Sequence, residues 1–199
     1  IDGSSFYRGK LIAPDAAVGD YFGNSLSLSG NILAVGASES NTNGIYKAGS
    51  AYLYQIESNG SANYLAKVSA PDANNSDYFG QSVSISNNIL AVGAHHADPG
   101  GIGSAGATYL YRIEANGSVS FLNKITAHDG VAADHFGWSL SQSGNLLAVG
   151  AHYADPNGLS RAGVVYLYHL DDNGTSTFKS KITAPDKSSN DAFGYSLYF

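Results

Sequence analysis

The sequence predicts an all-β chain, a β-propeller of four-stranded antiparallel blades with three full blades and two partial ones. Three observations carry that expectation. One unit recurs every 57 residues, so that KLIA, KVSA, KITA and KITA begin at Lys10, Lys67, Lys124 and Lys181. Apolar residues alternate with a period of two between turn sequences. No stretch combines a 3.6-residue apolar period with helix caps, so no helix of any length is expected.

The repeat runs without insertion or deletion through Asp15, Asp72, Asp129 and Asp186, and through Phe22-Gly23, Phe79-Gly80, Phe136-Gly137 and Phe193-Gly194. Each unit reads as four strands in order. The first starts at the Phe-Gly, as in FGNSLSLS, and ends at a tight turn such as Ser29-Gly30-Asn31. The second is ILAVGA or LLAVGA. A loop of a dozen residues leads to the third, SAYLYQIE in the first unit. Asn59-Gly60 then predicts a type I′ hairpin, with both central residues at positive φ. The fourth strand, ANYLAKVSA, ends at Pro71-Asp72.

Side-chain size arranges these strands. Ser25, Ser27, Ala34, Gly36 and Ala37 make the first two narrow, whereas Tyr52, Tyr54, Tyr64 and Leu65 make the outer two wide. Radial blades, crowded at the axis and splayed at the rim, need that gradient in every unit. The period is also close to known blade sizes of ~40–50 residues. The whole of 1–199 reads as one propeller domain or a fragment of a larger one. Its blades fall at about 16–72, 73–129 and 130–186, with partial strands at 6–15 and 193–199. A longer parent chain, or other copies, is expected to complete the ends.

Composition narrows the function classes. Charged residues are 13% of the chain, about half the usual ~25%, and the net charge is −6. Ten basic residues in an acidic chain leave no electrostatic footprint for nucleic acid. No apolar run is long enough to insert in a membrane. The absence of cysteine excludes a disulfide scaffold and a Cys-ligated zinc site.

On Phe22-Gly23, Gly36-Ala37 and their equivalents, the chain resembles the FG-GAP repeat family. That resemblance covers nearly all of it, from about Phe6 to Phe199. It implies a propeller like that at the N-terminus of integrin α-subunits, or like those of bacterial secreted and surface proteins. Two departures are visible. Ser38, His95 and His152 stand where the family's proline follows Gly-Ala. The turns between first and second strands, where the family often carries a calcium loop, contain no carboxylate. The resemblance therefore carries no calcium site to those turns.

The loops between second and third strands, 38–49, 95–106 and 152–163, vary most and are expected to emerge on one face. The candidate ligand-binding residues are His95, His96, Asp98, His152, Tyr153, Asp155 and Arg161 on those loops, with Trp138 near the channel entrance. His and Asp ligate metals, but Asp-Pro-Gly and Asp-Pro-Asn are also ordinary turns. Trp138 can stack on a sugar or plug the channel. The pairs Asp15/Asp20, Asp72/Asp77 and Asp129/Asp134 are calcium candidates, or else fix the turn before Phe-Gly. No other cofactor is expected.

No serine-nucleophile elbow, zinc-protease helix, phosphate-binding loop or dinucleotide fingerprint is present. The leading expectation is a non-enzymatic, extracellular binding or adhesion module for a protein or glycan. The alternatives are a structural repeat of a surface layer, sheath or filament, and a propeller hydrolase or lyase.

Overall fold

A computed structural model describes residues 9–199. Twelve strands form three four-stranded antiparallel sheets. The first holds β1 (Phe22–Ser29), β2 (Ile32–Ala37), β3 (Ser50–Ile56) and β4 (Ala62–Val68). The second holds β5 (Ser82–Ser86), β6 (Ile89–Ala94), β7 (Ala107–Ile113) and β8 (Val119–Ile125). The third holds β9 (Ser139–Ser143), β10 (Leu146–Ala151), β11 (Val164–Leu170) and β12 (Ser176–Ile182). Strands pair in chain order within each sheet, and the inner strands pack in succession, β1 beside β5 and β5 beside β9. The only helical turns among the described residues are single 3-10 turns at Pro99–Gly101 and Pro156–Gly158.

Small residues on the inner strands let the blades approach. Gly36, Gly93 and Gly150 each face the carbonyl of the next blade's Phe-Gly glycine; a Cβ there would lie 2.1, 1.9 and 2.2 Å from it. Ser25, Ser82 and Ser139 donate hydroxyl hydrogen bonds to those same carbonyls. The Phe-Gly pair therefore works between blades. The N–H of Phe79 donates to the Ala48 carbonyl of the first blade at 2.9 Å. Its ring is fully buried edge-on to Tyr109 and Tyr111 of the second. Phe136 repeats this one blade on. Each such ring contributes roughly 2–3 kcal/mol by burial. This tether moves the strand boundary: β5 and β9 start at Ser82 and Ser139, three residues after the Phe where the sequence placed them.

A polar clamp joins the blades at the rim. Asp72 follows the last strand of the first blade. Its two oxygens accept from the Tyr109 hydroxyl at 2.8 Å and the Lys124 ammonium at 2.7 Å, both in the second blade. Asp129 does the same with Tyr166 and Lys181. Asp15 does so with Tyr52 and Lys67.

The hairpin between third and fourth strands differs from the expected type I′ turn. Gly60 has φ 83°, but Asn59 is not at positive φ. The Asn59 Oδ1 accepts the Ser61 N–H at 2.8 Å, and the positive φ of the turn falls to glycine alone. The result is a three-residue loop closed by Glu57 and Ser61. Both central residues are at positive φ instead in the turn at Asn87-Asn88.

The end segments form no strand. Residues 6–8 lie outside those described; 9–15 form no strand, and 193–199 make a single isolated parallel bridge, Phe193 with Gly163. The outer faces of the arc are open accordingly. Leu26 is 62% exposed, whereas Val83 and Leu140 at the same repeat position are 6% and 8% exposed. Ile182 is likewise exposed where Ile125 is buried.

Candidate functional site

The end of the second strand and the Phe-Gly turn of the following blade meet on one face of the arc. The first loop residues, Ser38, His95 and His152, are all buried there. The residue before each Phe-Gly is held at positive φ, as at Tyr78 (57°) and His135 (59°). In that conformation its side chain stacks on the loop of its own unit, Tyr78 on His95 and His135 on Tyr153. The N–H of Trp138 donates to the His135 carbonyl, so the same tight turn also presents the indole.

At the junction of the second and third blades these positions hold a continuous cluster of rings. Tyr78 stacks on His95 at 5.4 Å between ring centres. His95 lies 4.3 Å from His96, 4.8 Å from Trp138 and 5.3 Å from His135. His135 stacks on Tyr153 at 4.7 Å and lies 5.7 Å from His152. His152 contacts Trp138 at 4.3 Å and Tyr195 at 5.3 Å. The Arg161 guanidinium sits 4.5 Å over the Tyr153 ring. The first blade has no counterpart: Glu39 pairs with Lys47 at 2.6 Å, and Asn24 donates to the Gln81 carbonyl.

Burial, joined by the other imidazoles, pushes the His95 pKa down to about 2. Burial also takes His135 and His152 down to about 4, and lowers His96. The buried environment thus favours the neutral form of these rings. The Nδ1 atoms of His95, His135 and His152 are shielded from solvent and have no hydrogen-bond partner among the described residues.

The sequence candidates divide between two roles. His95, His96, Trp138, His152, Tyr153 and Arg161 come together in this cluster. Asp98 and Asp155 turn into their own loops, each accepting the N–H six residues on, Ser104 or Arg161, at 2.6 Å. Asn41 does the same in the first blade. Tyr195, which shares the repeat column of Trp138, joins the site, and Tyr78 and His135, which the sequence did not single out, complete it. Aligning the residue before Phe-Gly across the units (Tyr21, Tyr78, His135, Ala192) would have exposed the first two as a second variable column.

The aspartate pairs do not fit calcium. Asp15, Asp72 and Asp129 spend their oxygens on a tyrosine and a lysine, and an ammonium 2.7 Å away repels a cation. Asp20, Asp77 and Asp134 accept the backbone N–H three residues earlier, at 2.7–2.9 Å, which ties the loop before Phe-Gly. Among the described residues no group of three or more His, Asp or Glu side chains could hold a metal ion.

Residues 7–54, 63–111 and 119–168 match the FG-GAP repeat family. No curated protein matches the sequence. Among solved structures the chain is similar to Sqt1 of Saccharomyces cerevisiae, at 9% identity and TM-score 0.55 over 86% of this chain and 38% of that one. It is also similar to a protein from Lactobacillus plantarum, at 18% identity and TM-score 0.52 over 81% of this chain and 41% of that one. A third is the periplasmic gluconolactonase PpgL of Pseudomonas aeruginosa, at 14% identity and TM-score 0.51 over 80% and 39% of the two chains. The chain thus spans about two fifths of these structures' length. At such identities the likeness is one of fold.

Proposed function

The chain belongs to the FG-GAP repeat family, and from that premise we propose that it is a non-enzymatic binding module of the cell exterior. It recognises a protein or glycan through the loops of one propeller face. The observation that carries this reading is the gathering of Tyr78, His96, Trp138, Tyr153 and Arg161 on that face, on loops that differ between otherwise near-identical units. Aromatic faces with polar edges shed water at low cost and suit both sugar rings and peptide side chains. The rigid strands hold these groups in place before a partner arrives, which limits the entropy lost on binding. The cluster contains no serine, threonine or cysteine nucleophile beside a base, which supports a module without catalysis.

A glycan and protein array probed with the purified protein tests this. Binding that falls at least about tenfold for Trp138→Ala and Tyr153→Ala, and is unchanged for a rim variant such as Asn173→Ala, supports it. An array hit insensitive to every loop substitution overturns it.

A second reading is a structural repeat of a layer or filament. Leu26 and Leu28 on one end blade and Ile182 on the other are each at least 40% exposed, on faces that pack against a neighbour inside the arc. Further blades of the same repeat, from a longer parent or another copy, are the partners these faces suit.

A further inference from the structure

We propose that Asn59, Asn116 and Asn173 are acceptors for N-linked glycosylation, one on the outer hairpin of each blade. The proposal rests on the placement of the chain at the cell exterior, where such transfer occurs. It concerns the face opposite the ring cluster.

Asn59-Gly60-Ser61, Asn116-Gly117-Ser118 and Asn173-Gly174-Thr175 carry the acceptor pattern Asn-x-Ser/Thr at the 57-residue step. An acid stands two residues before each asparagine: Glu57, Glu114 and Asp171. It offers a transferase a charged handle beside the hydroxyl. The positions around this core change freely. Ser58, Ala115 and Asp172 precede the asparagines, and Ala62, Val119 and Ser176 follow the hydroxyl residues.

The hairpin explains only part of the pattern. It needs glycine, at φ 83°, 82° and 83° in the three units. It uses the asparagine Oδ1, which accepts the N–H two residues on at 2.8–2.9 Å. Any non-proline residue offers that N–H, so the hairpin requires no hydroxyl there. Among the described residues only Ser118 turns its hydroxyl back on the asparagine, at 2.7 Å. The acid has no common structural task either. Glu57 accepts from the Asn63 side chain at 2.8 Å, and Asp171 lies 3.3 Å from His169. The second unit has Ser120 and Arg112 at those two positions. Acid and hydroxyl recur although their neighbours do not.

The structure leaves the reacting atom open. All three asparagines are exposed, and their bonds run to Oδ1 rather than to Nδ2. Transfer forms a bond from Nδ2 to C1 of a sugar and breaks the bond from C1 to the diphosphate of a lipid-linked oligosaccharide. Nδ2 gives up one proton, and the lipid diphosphate leaves. Just before the hairpins, Ile56, Ile113 and Leu170 donate to Asn31, Asn88 and Asn145 in the turns between first and second strands. Those turns lie at the strand ends away from the ring cluster, so a bulky, solvated glycan leaves the cluster uncovered.

One further stretch, Asp72-Ala73-Asn74-Asn75-Ser76, matches the same pattern but does not recur. Its Asn74 Nδ2 donates to the Asp72 carbonyl at 3.1 Å, and the Asp72 carboxylate is engaged by Tyr109 and Lys124. Asn74 is therefore an internal control, expected to stay bare.

The test incubates the purified, unmodified protein with an oligosaccharyltransferase whose acceptor pattern includes the preceding acid, and with its lipid-diphosphate-linked oligosaccharide. Mass spectrometry of the peptides locates the sugar. Glycan on Asn59, Asn116 and Asn173 is expected. Ser118→Ala should abolish transfer to Asn116 and leave Asn59 and Asn173 as they were. Glu114→Gln removes a charged contact and should slow transfer to Asn116 at least about tenfold. Three bare hairpins, or glycan on Asn74 alone, overturn the proposal. Because the native sequence is read directly, a variant that fails to fold does not leave the question open. Peptide mapping of the protein from its native source then tests the exterior placement. Bare hairpins there, with transfer intact in vitro, count against that placement and not against the acceptor sites.

Discussion

Replacing Gly93 by alanine should loosen the junction of the second and third blades. Gly93 lies in β6, between Ser82 of β5 and Thr108 of β7, so it cannot move without breaking two ladders. An added Cβ would lie 1.9 Å from the Gly137 carbonyl oxygen and 2.4 Å from the Ser82 hydroxyl. An ordinary contact needs at least 3.4 Å, so the next blade must back away by over about 1 Å. Gly137 is itself tied to Gly150 by its N–H at 3.1 Å and to Ser82 by its carbonyl at 2.8 Å. The substitution thus forfeits one hydrogen bond, about 1 kcal/mol, and adds overpacking of about 1–3 kcal/mol. The expected loss is about 3 kcal/mol, or a fall in Tm of roughly 6–12 °C for a chain of this size. Calorimetry and urea unfolding would measure it. Gly103→Ala is the control, since no atom lies within 4 Å of its added Cβ and its φ is not positive. A Gly93→Ala protein within about 1 kcal/mol of wild type, or no worse than the control, would refute the argument that close backbone approach sets the blade spacing.

The rim clamp makes further predictions. Tyr109→Phe removes the hydroxyl that Asp72 accepts from and should cost about 1 kcal/mol in urea unfolding, with no loss of sheet signal. Asp15 is held below the ordinary 3.8 first by its bond to Lys67; Asp72 and Asp129 are also held below it, burial opposing but outweighed by their lysine and tyrosine bonds. Depressed acids stabilise the fold above their unfolded pKa, so this contribution should be intact above about pH 4 and lost as pH falls below it, visible as a drop in Tm. Burial raises Asp77 and Asp134 instead, so their ionised forms oppose folding at neutral pH. Asp77→Asn, which keeps an acceptor for the Asn74 N–H, should therefore leave Tm unchanged or raise it, whereas Asp72→Asn should lower it. Chelator should leave the turns at Gly30, Asn87 and Gly144 unaltered in hydrogen exchange, because none offers a carboxylate to a metal.

The repeat made most of the fold legible. A period of 57 residues with no slip lets every column be compared three or four times, and strand order follows from alternation and turn chemistry in one unit. Local signals were less secure where a side chain competes with the backbone. Asn-Gly at 59–60 reads as a type I′ turn, but the Asn59 side chain bonds to Ser61 and selects the longer loop. The Phe-Gly reads as the head of a strand, but the preceding blade captures its N–H and delays the strand by three residues. Of the site, the loop candidates were visible because they break an otherwise regular column. His135 was not, because its place beside them is set by backbone at positive φ, which linear spacing does not show.

The sequence by itself determined the unit, the order of its strands and the narrow-to-wide gradient that makes a blade. These depend on contacts close in the chain or repeated at one fixed step. Only the tertiary structure decided which of the recurring aspartates bind lysine across a junction and which cap their own loop. Only it brought His95 and His96 of one blade against His135 and His152 of the next. Those contacts join neighbouring units through side-chain directions set by backbone at positive φ, and linear spacing carries no record of direction.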